Sequence, residues 1–450
     1  MKSRIWVGWT VIAIAVATGL ATQEAAKSAA ERGALAVRGQ PTMNPPVWSA
    51  KAYDNLWMRW GVKEKPADYA CAVQERYGLH PAQYPNNGLP MGLHYSQGIL
   101  GKGVINDCLL CHASVVAGQT VIGAANSTLD LQSLFEDLNT IDKLPYEFPF
   151  KFAYARGTID PVNPATFLME FRDHDLNVRI PVKLDYSENI ASDPPAWWLL
   201  KRKTTRNWTG GVQVNDTRID MVNLLNPFNS AAHIKSHEKT FEDIHAFVLS
   251  VESPKYPFPV DAELAAKGRG LFTETCARCH GTYGPDSKYP SKIVPLETLG
   301  TDATLAKSLS AKNIAYFNKS WFGQLKAADG TKLEIVETPG YQAPPLDGIW
   351  ATAPYFHNAA VPSLYHVLNS KARPTYWTRT YGTAKDDFDP INVGWKTTML
   401  DAPPAPNLSG HERRKVYDAT QPGRSNAGHT FGDQFTDDER RSVIEYLKTL

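Results

Sequence analysis

"NDCLLCHAS" at residues 106–114 and "ETCARCHGT" at residues 274–282 each hold two cysteines two residues apart, with a histidine directly after. Together they take four of the five cysteines in a chain of 450 residues. Three chemistries use closely paired cysteines. A redox-active disulfide needs the pair at a helix start beside a βαβ pattern, and no such pattern flanks either copy. A zinc ribbon needs two pairs roughly 15–20 residues apart, and these lie much further apart. Covalent haem attachment needs all three residues at this spacing. The thiols add to the two porphyrin vinyl groups, and the histidine ligates the iron. The pattern implies two covalently bound haem c groups, one on Cys108 and Cys111 and one on Cys276 and Cys279. His112 and His280 are then the proximal ligands.

The rest of the composition narrows the context. Formal net charge is +1 and 43% of residues are hydrophobic. That is enough apolar sequence for a sizeable core, and nothing in it points to nucleic acid. Thirty-two Pro and 31 Gly imply long irregular connections. "MKSR" followed by the uncharged run from Ile5 to Ala21 reads as an export segment, a cleaved signal peptide or an N-terminal membrane anchor over 1–21. Export suits covalent haem attachment and predicts a periplasmic or secreted location. Residues 22–46, rich in Ala and ended by Pro45-Pro46, read as a solvated helix or tether.

Pro254, Pro257 and Pro259 mark a boundary, because proline cannot sit in a helix interior. A first haem domain over 47–252 and a second over 253–450 follow. The halves end alike. In "KTFEDIHAFVLSVES", Thr240 and Asp243 suit a helix cap, with Ile244, Phe247 and Val248 on one face. In "FTDDERRSVIEYLKTL", Thr436 and Glu439 form a capping-box pattern ahead of Val443, Ile444 and Leu447. "VDAELAAKGRGLFTETCARCH" predicts a helix capped by Asp261, its stripe formed by Leu264, Gly268, Leu271 and Phe272. The fold class expected is mainly α: two cytochrome c-like helical haem domains with long irregular loops, arising by duplication.

The sixth position on each iron decides between carrier and catalyst. Met169 is the methionine at a carrier-like distance from the first motif, although its run "ATFLMEF" also suits a core. Met399 lies far from Cys276. His245 falls in the closing helix of the first half, where capping carbonyls is an alternative role. Cys71 is expected to be a buried, unpaired thiol.

"APPLDGIWATAPYFHNAAVPSLYHVLNSKARPTYW" (343–377) resembles a block of the bacterial diheme cytochrome c peroxidase superfamily, nearest its diheme rubber-oxygenase-like branch. "CARCHGTYG", "YPSKIVPLETLGTD" and "GRSNAGHTFGDQFTDDERRSVIEYLKTL" resemble the same branch, so the likeness spans nearly all of 251–450. The first half is similar more loosely, through its haem motif, "GTIDPVNPATF" (157–167) and "PPAWWLLKRKTTRNWTGG" (194–211). Pro344 stands where the block often has arginine, and "NWTGG" departs from the oxygenase version.

The resemblance implies that the N-terminal haem reacts with O2 or H2O2 while the C-terminal haem is six-coordinate and relays electrons. His429 in "SNAGHTFG" matches the distal ligand of the second haem, with His357 in "APYFHN" as the alternative. Trp197, Trp198 and Trp208 match a segment expected near the distal side of the first haem. Peroxide cleavage would want a distal acid, base or arginine, for which Glu136, Asp137, Arg156 and Asp160 are candidates by position. A Ca2+ ion is a secondary cofactor expectation that no residue pattern here specifies. The function implied is an exported haem-dependent oxidoreductase of peroxidase or oxygenase type, acting with an organic substrate and a periplasmic electron donor or acceptor. A non-enzymatic diheme electron carrier is the alternative.

Overall fold

The computed structural model describes residues 27–40, 42–98, 101–144 and 147–450. The expected export segment and the start of the expected tether lie outside the described residues. Within 22–46, the helix alternative forms as α1, Ala29–Ala36, packed against the first half rather than solvated. Ser28 and Glu31 close a capping box at its start, the Glu31 N–H donating to Ser28 Oγ at 3.2 Å and the Ser28 N–H to Glu31 Oε2 at 2.6 Å. α1 lies across α2, Glu238–Ser250, and Arg32 grips Asp243 at 2.6 and 2.7 Å. Small residues are what let the two backbones meet. A Cβ on Gly33 would stand 2.0 Å from the Asp243 carbonyl oxygen. The expected Thr240–Asp243 cap is replaced, because α2 begins at Glu238 and Asp243 is committed to Arg32.

The second half repeats the device. Helix α3, Ala262–Thr275, is capped by Asp261, which accepts from the Glu263 and Leu264 N–H groups, both at 3.0 Å. Helix α4, Asp437–Leu447, opens with the Thr436–Glu439 capping box. The two cross at Gly268, where a Cβ would meet the Ser442 carbonyl oxygen at 1.8 Å. Ala265 and Phe272 share the buried face of α3 with Gly268, whereas Leu264, expected on that face, is exposed. Each half is thus closed by a first and a last helix crossing over a glycine.

The mainly α expectation understates the strands, since the described residues include six small sheets. One has Gly101–Asn106 in the middle, flanked antiparallel by Trp48–Ser49 and Leu93–Gly98. Its central strand runs straight into Cys108. A hairpin, Ala113–Val116 with Gln119–Ile122, leaves His112 on the other side. Val116 and Val121 of that hairpin join Trp198, Trp350, Phe388, Trp395 and Val443 in an apolar cluster that crosses from one half to the other. At roughly 1.5–3 kcal/mol for each large apolar side chain buried, such a shared core ties the halves together. A second cluster under α1 and α2 holds Val37, Phe241, Ile244, Met169 and Met221. Among the described residues, no helix is long and apolar enough to cross a membrane.

Candidate haem-binding sites

α3 ends where the second motif begins, and the turn Ala277–His280 wraps the motif into helical backbone. The His280 N–H donates to the Cys276 carbonyl at 3.0 Å, which brings both cysteines and the histidine to one side of a turn. The imidazole is held at its back: Nδ1 lies 2.8 Å from the Pro344 carbonyl. That bond makes Nδ1 the protonated nitrogen and leaves Nε2 as the free base, the tautomer a metal needs. Across from it stands His429, the two ring centres 6.1 Å apart and the planes at 64°. A metal held between two imidazoles at roughly 2 Å from each nitrogen needs ring centres roughly 6 Å apart, so the pair fits an iron. Burial and the neighbouring His280 push the His429 pKa down to about 3, which keeps it a neutral donor.

His112 in the first motif is held in the same way by its own turn, with its N–H on the Cys108 carbonyl at 3.0 Å. Asp107 caps that turn by accepting from the Leu109 N–H at 2.8 Å. Nδ1 of His112 faces the Pro195 carbonyl without closing a hydrogen bond of good geometry. Burial lowers the His112 pKa to about 4. The surroundings of the two proximal histidines differ, however. Trp197 stacks on the His112 ring at 5.1 Å and 25°, and Phe247 of α2 meets Trp197 edge-on at 6.2 Å.

The four motif cysteines are unpaired and partly buried. Burial, the largest cause in each case, pushes the thiols of Cys108, Cys111 and Cys276 up to about 12. A dithiol redox centre needs the opposite shift, toward the thiolate. The donor set therefore fits covalent haem attachment and disfavours disulfide exchange.

The three tryptophans expected near the distal side of the first haem make different contacts. Trp197 lies against the proximal ligand itself. Trp198 turns into the shared core, where its Nε1–H donates to the Asp347 carbonyl at 2.7 Å. Trp208 donates to the Asp193 carbonyl at 2.6 Å, near His357. His357 stacks on Tyr341 at 4.0 Å and 21°, and burial lowers its pKa to about 4. Its neighbour Phe356 takes the position beside His429, 5.8 Å ring to ring.

The candidate peroxide-cleaving residues serve the fold. Asp137 accepts from Tyr77 Oη at 2.7 Å, and Arg156 donates to the Thr128 carbonyl at 2.6 Å. Asp160 caps Asn163 at 3.0 Å, and Glu136 is exposed and accepts from Gln132 at 2.8 Å. Met169 is fully buried in the apolar cluster under α2. Cys71 is exposed rather than buried, with Glu75 the main cause raising its thiol pKa. Among the described residues, no group of three or more His, Cys, Asp or Glu converges on a metal position.

Two features escape a reading by residue type. One is the pair of proline carbonyls behind the proximal histidines, although a Pro-Pro pair at 194–195 and another at 344–345 is a visible signal. The other is the join between the sites. The turn Trp197–Arg202 carries the ring on His112 at its start. Next along it, Trp198 bonds Asp347, three residues beyond Pro344, and Arg202 clamps the Asp347 carboxylate at 2.9 Å.

Residues 340–378 match the RoxA-like, cytochrome c-like family. The matched stretch contains Pro344, His357 and Arg373 but neither cysteine pair. It supports a haem-binding c-type cytochrome. The chain is 27% identical over 312 residues to the uncharacterized protein y4iM of Sinorhizobium fredii, covering 57% of this chain and 64% of that protein. It is 26% identical over 249 residues to the uncharacterized protein y4iJ of the same organism, covering 42% and 39% respectively. The alignments therefore span less than two thirds of either relative. Two solved structures are also similar: a MauG-like protein associated with microbial copper homeostasis, at 17% identity over 68% of this chain and 95% of that one with a TM-score of 0.28, and Kuenenia stuttgartiensis hydrazine synthase, at 12% identity over 68% and 93% with a TM-score of 0.26.

Proposed function

We propose that the chain is a diheme c-type oxidoreductase with divided labour: the His112 site takes O2 or peroxide, and the His280–His429 site passes electrons. The observation that carries this reading is the 6.1 Å imidazole pair at the second site, set against a first site where the ring stacked on His112 is Trp197. Haem c bound at such sites supplies one-electron chemistry and, where an axial position stays open, a place for O2 or peroxide.

The residues divide the tasks. Cys108, Cys111, Cys276 and Cys279 fix the macrocycles. The Pro344 carbonyl holds the proton on His280 Nδ1 and presents Nε2. His429 closes the second site to oxygen. Trp197 and Trp198 give the sites a short connected route, from the His112 ring through one turn to the Asp347 segment. The quoted resemblance to the rubber-oxygenase-like branch makes O2 the first oxidant to test. An exported location, a periplasmic electron partner and an organic substrate belong to the same proposal.

EPR of the oxidised protein, paired with CO-difference spectra of the reduced protein, tests it. One low-spin haem that ignores CO and one that binds it are expected. Two low-spin haems, both inert to CO in either redox state, would refute the reading in favour of an electron carrier.

A further inference from the structure

His429 sits in a conformation it would not hold alone. Its φ of 46° and that of Gly428, 77°, are both left-handed, a region that side-chain-bearing residues enter seldom and at some cost. Gly428 is required there, since a Cβ would come within 2.3 Å of the Gly300 backbone. The His429 N–H ties the turn to the Leu299 carbonyl at 2.7 Å. What holds the other face is Arg373.

The Arg373 guanidinium has five N–H donors, and carbonyls take up five bonds from it. Nη1 donates to Asn426 and Gly428 at 2.7 Å each, and Nη2 to His429 at 3.3 Å. Nε donates to His366 at 2.8 Å and Nη2 to Val367 at 3.2 Å. Three bonds thus grip the loop that carries the ligand, and two anchor it to the helix Leu364–Leu368. Among the described residues the nearest charged partner is Asp433, which acts on this arginine at longer range without a direct ion pair. The guanidinium charge instead sits 4.9 Å over the Phe356 ring, and that ring is the one beside His429. A planar fork saturated by carbonyls is a geometric clamp; an ordinary surface ion pair would leave the loop free to swing.

We propose that Arg373 is a positioning residue that presets the His429 imidazole opposite His280. The proposal rests on the reading of His429 as the sixth ligand. Lysine at 373 keeps the charge but offers three donors from one point, without the fork. Arg373→Lys and Arg373→Gln are compared with His429→Ala in the haem-loaded full chain, by EPR and by titration with imidazole. Both Arg373 variants should show a high-spin fraction at the second haem at least about tenfold above wild type, with low-spin signal restored by millimolar imidazole and circular dichroism unchanged. If His429→Ala leaves the low-spin signal intact, the ligand reading itself fails. If His429→Ala abolishes it while both folded Arg373 variants keep it, the clamp alone is overturned. A lysine variant that fails to fold or to load haem also counts against a positioning role, because a clamp on one loop should leave the rest standing.

Discussion

Gly268→Ala tests the packing that carries the second motif. The added methyl would lie 1.8 Å from the Ser442 carbonyl oxygen. Van der Waals contact needs roughly 3.5 Å, so α3 and α4 would have to part by roughly 1.7 Å along their crossing. The obstacle is backbone, and no rotamer change relieves it. Overpacking of this kind costs about 3 kcal/mol or more, the upper end of the usual range. Alanine returns about 1 kcal/mol through helix propensity. The net loss is then about 2 kcal/mol, or roughly 4–8 °C in Tm for a unit of this size. Gly270, two residues on and exposed, is the control: nothing lies within 4 Å of its Cβ position, so Gly270→Ala should stabilise by about 0.5–1 kcal/mol. Urea and thermal unfolding followed by far-ultraviolet circular dichroism measure both. Because α3 runs directly into Cys276, haem content by pyridine haemochrome should fall with Gly268→Ala only. Equal stabilities for the two variants would refute the crossing as the reason for Gly268.

Three further outcomes are expected. His429→Ala should convert the second haem from low-spin to CO-binding while the first haem's CO spectrum stays in place; an unchanged CO stoichiometry would refute the assignment. Trp197→Leu removes the ring stacked on His112, and should shift the first haem's Soret band and slow electron exchange between the haems in stopped-flow traces at least about tenfold, 1.4 kcal/mol of barrier. His357 has its pKa lowered by burial to about 4, so the folded chain favours the neutral ring. The stability this contributes is fully present above the unfolded value of about 6.5 and is lost as pH falls toward 4, about 3 kcal/mol in all. His357→Phe, which keeps a ring on Tyr341, should flatten unfolding free energy against pH by one proton across that window; an unaltered slope would show that His357 is not the group titrating.

Much of this was legible in the sequence because it depends on residue type at short spacing. The cysteine pairs, the caps at Asp261 and Thr436, and the closing helices are local patterns. The structure forms the caps at Asp261 and Thr436 where the spacing puts them. What was not legible depends on who meets whom. Ala29–Ala36 has the composition of a solvated tether, and only the approach of α2 over Gly33 makes it a core helix. Asp243 suits a cap until Arg32 arrives from 211 positions away. Trp197 and Trp198 are neighbours with the same chemistry, yet the turn points one at His112 and the other at Asp347. The groups behind the proximal histidines are backbone carbonyls, which carry no residue signature, and proline marks them only because it leaves its carbonyl free of helix.

The two halves share one frame and differ in what surrounds each motif histidine. Both halves keep a glycine-crossed helix pair, the same turn around the histidine, and a proline carbonyl behind it. In the proposed reading these parts hold a macrocycle and leave its reactivity open. The difference is built elsewhere. The second half adds a carbonyl-clamped loop at 426–429 and presents an imidazole from it. The first half packs an aromatic ring against its proximal ligand and continues that turn into the other half's core. The shared frame and the differing parts are separable, because His429 and Trp197 lie on a loop and a turn outside the crossing helices. In the proposed reading, that separation lets His112 and His280, which share the Cys-x-x-Cys-His pattern but not their neighbours, do different work.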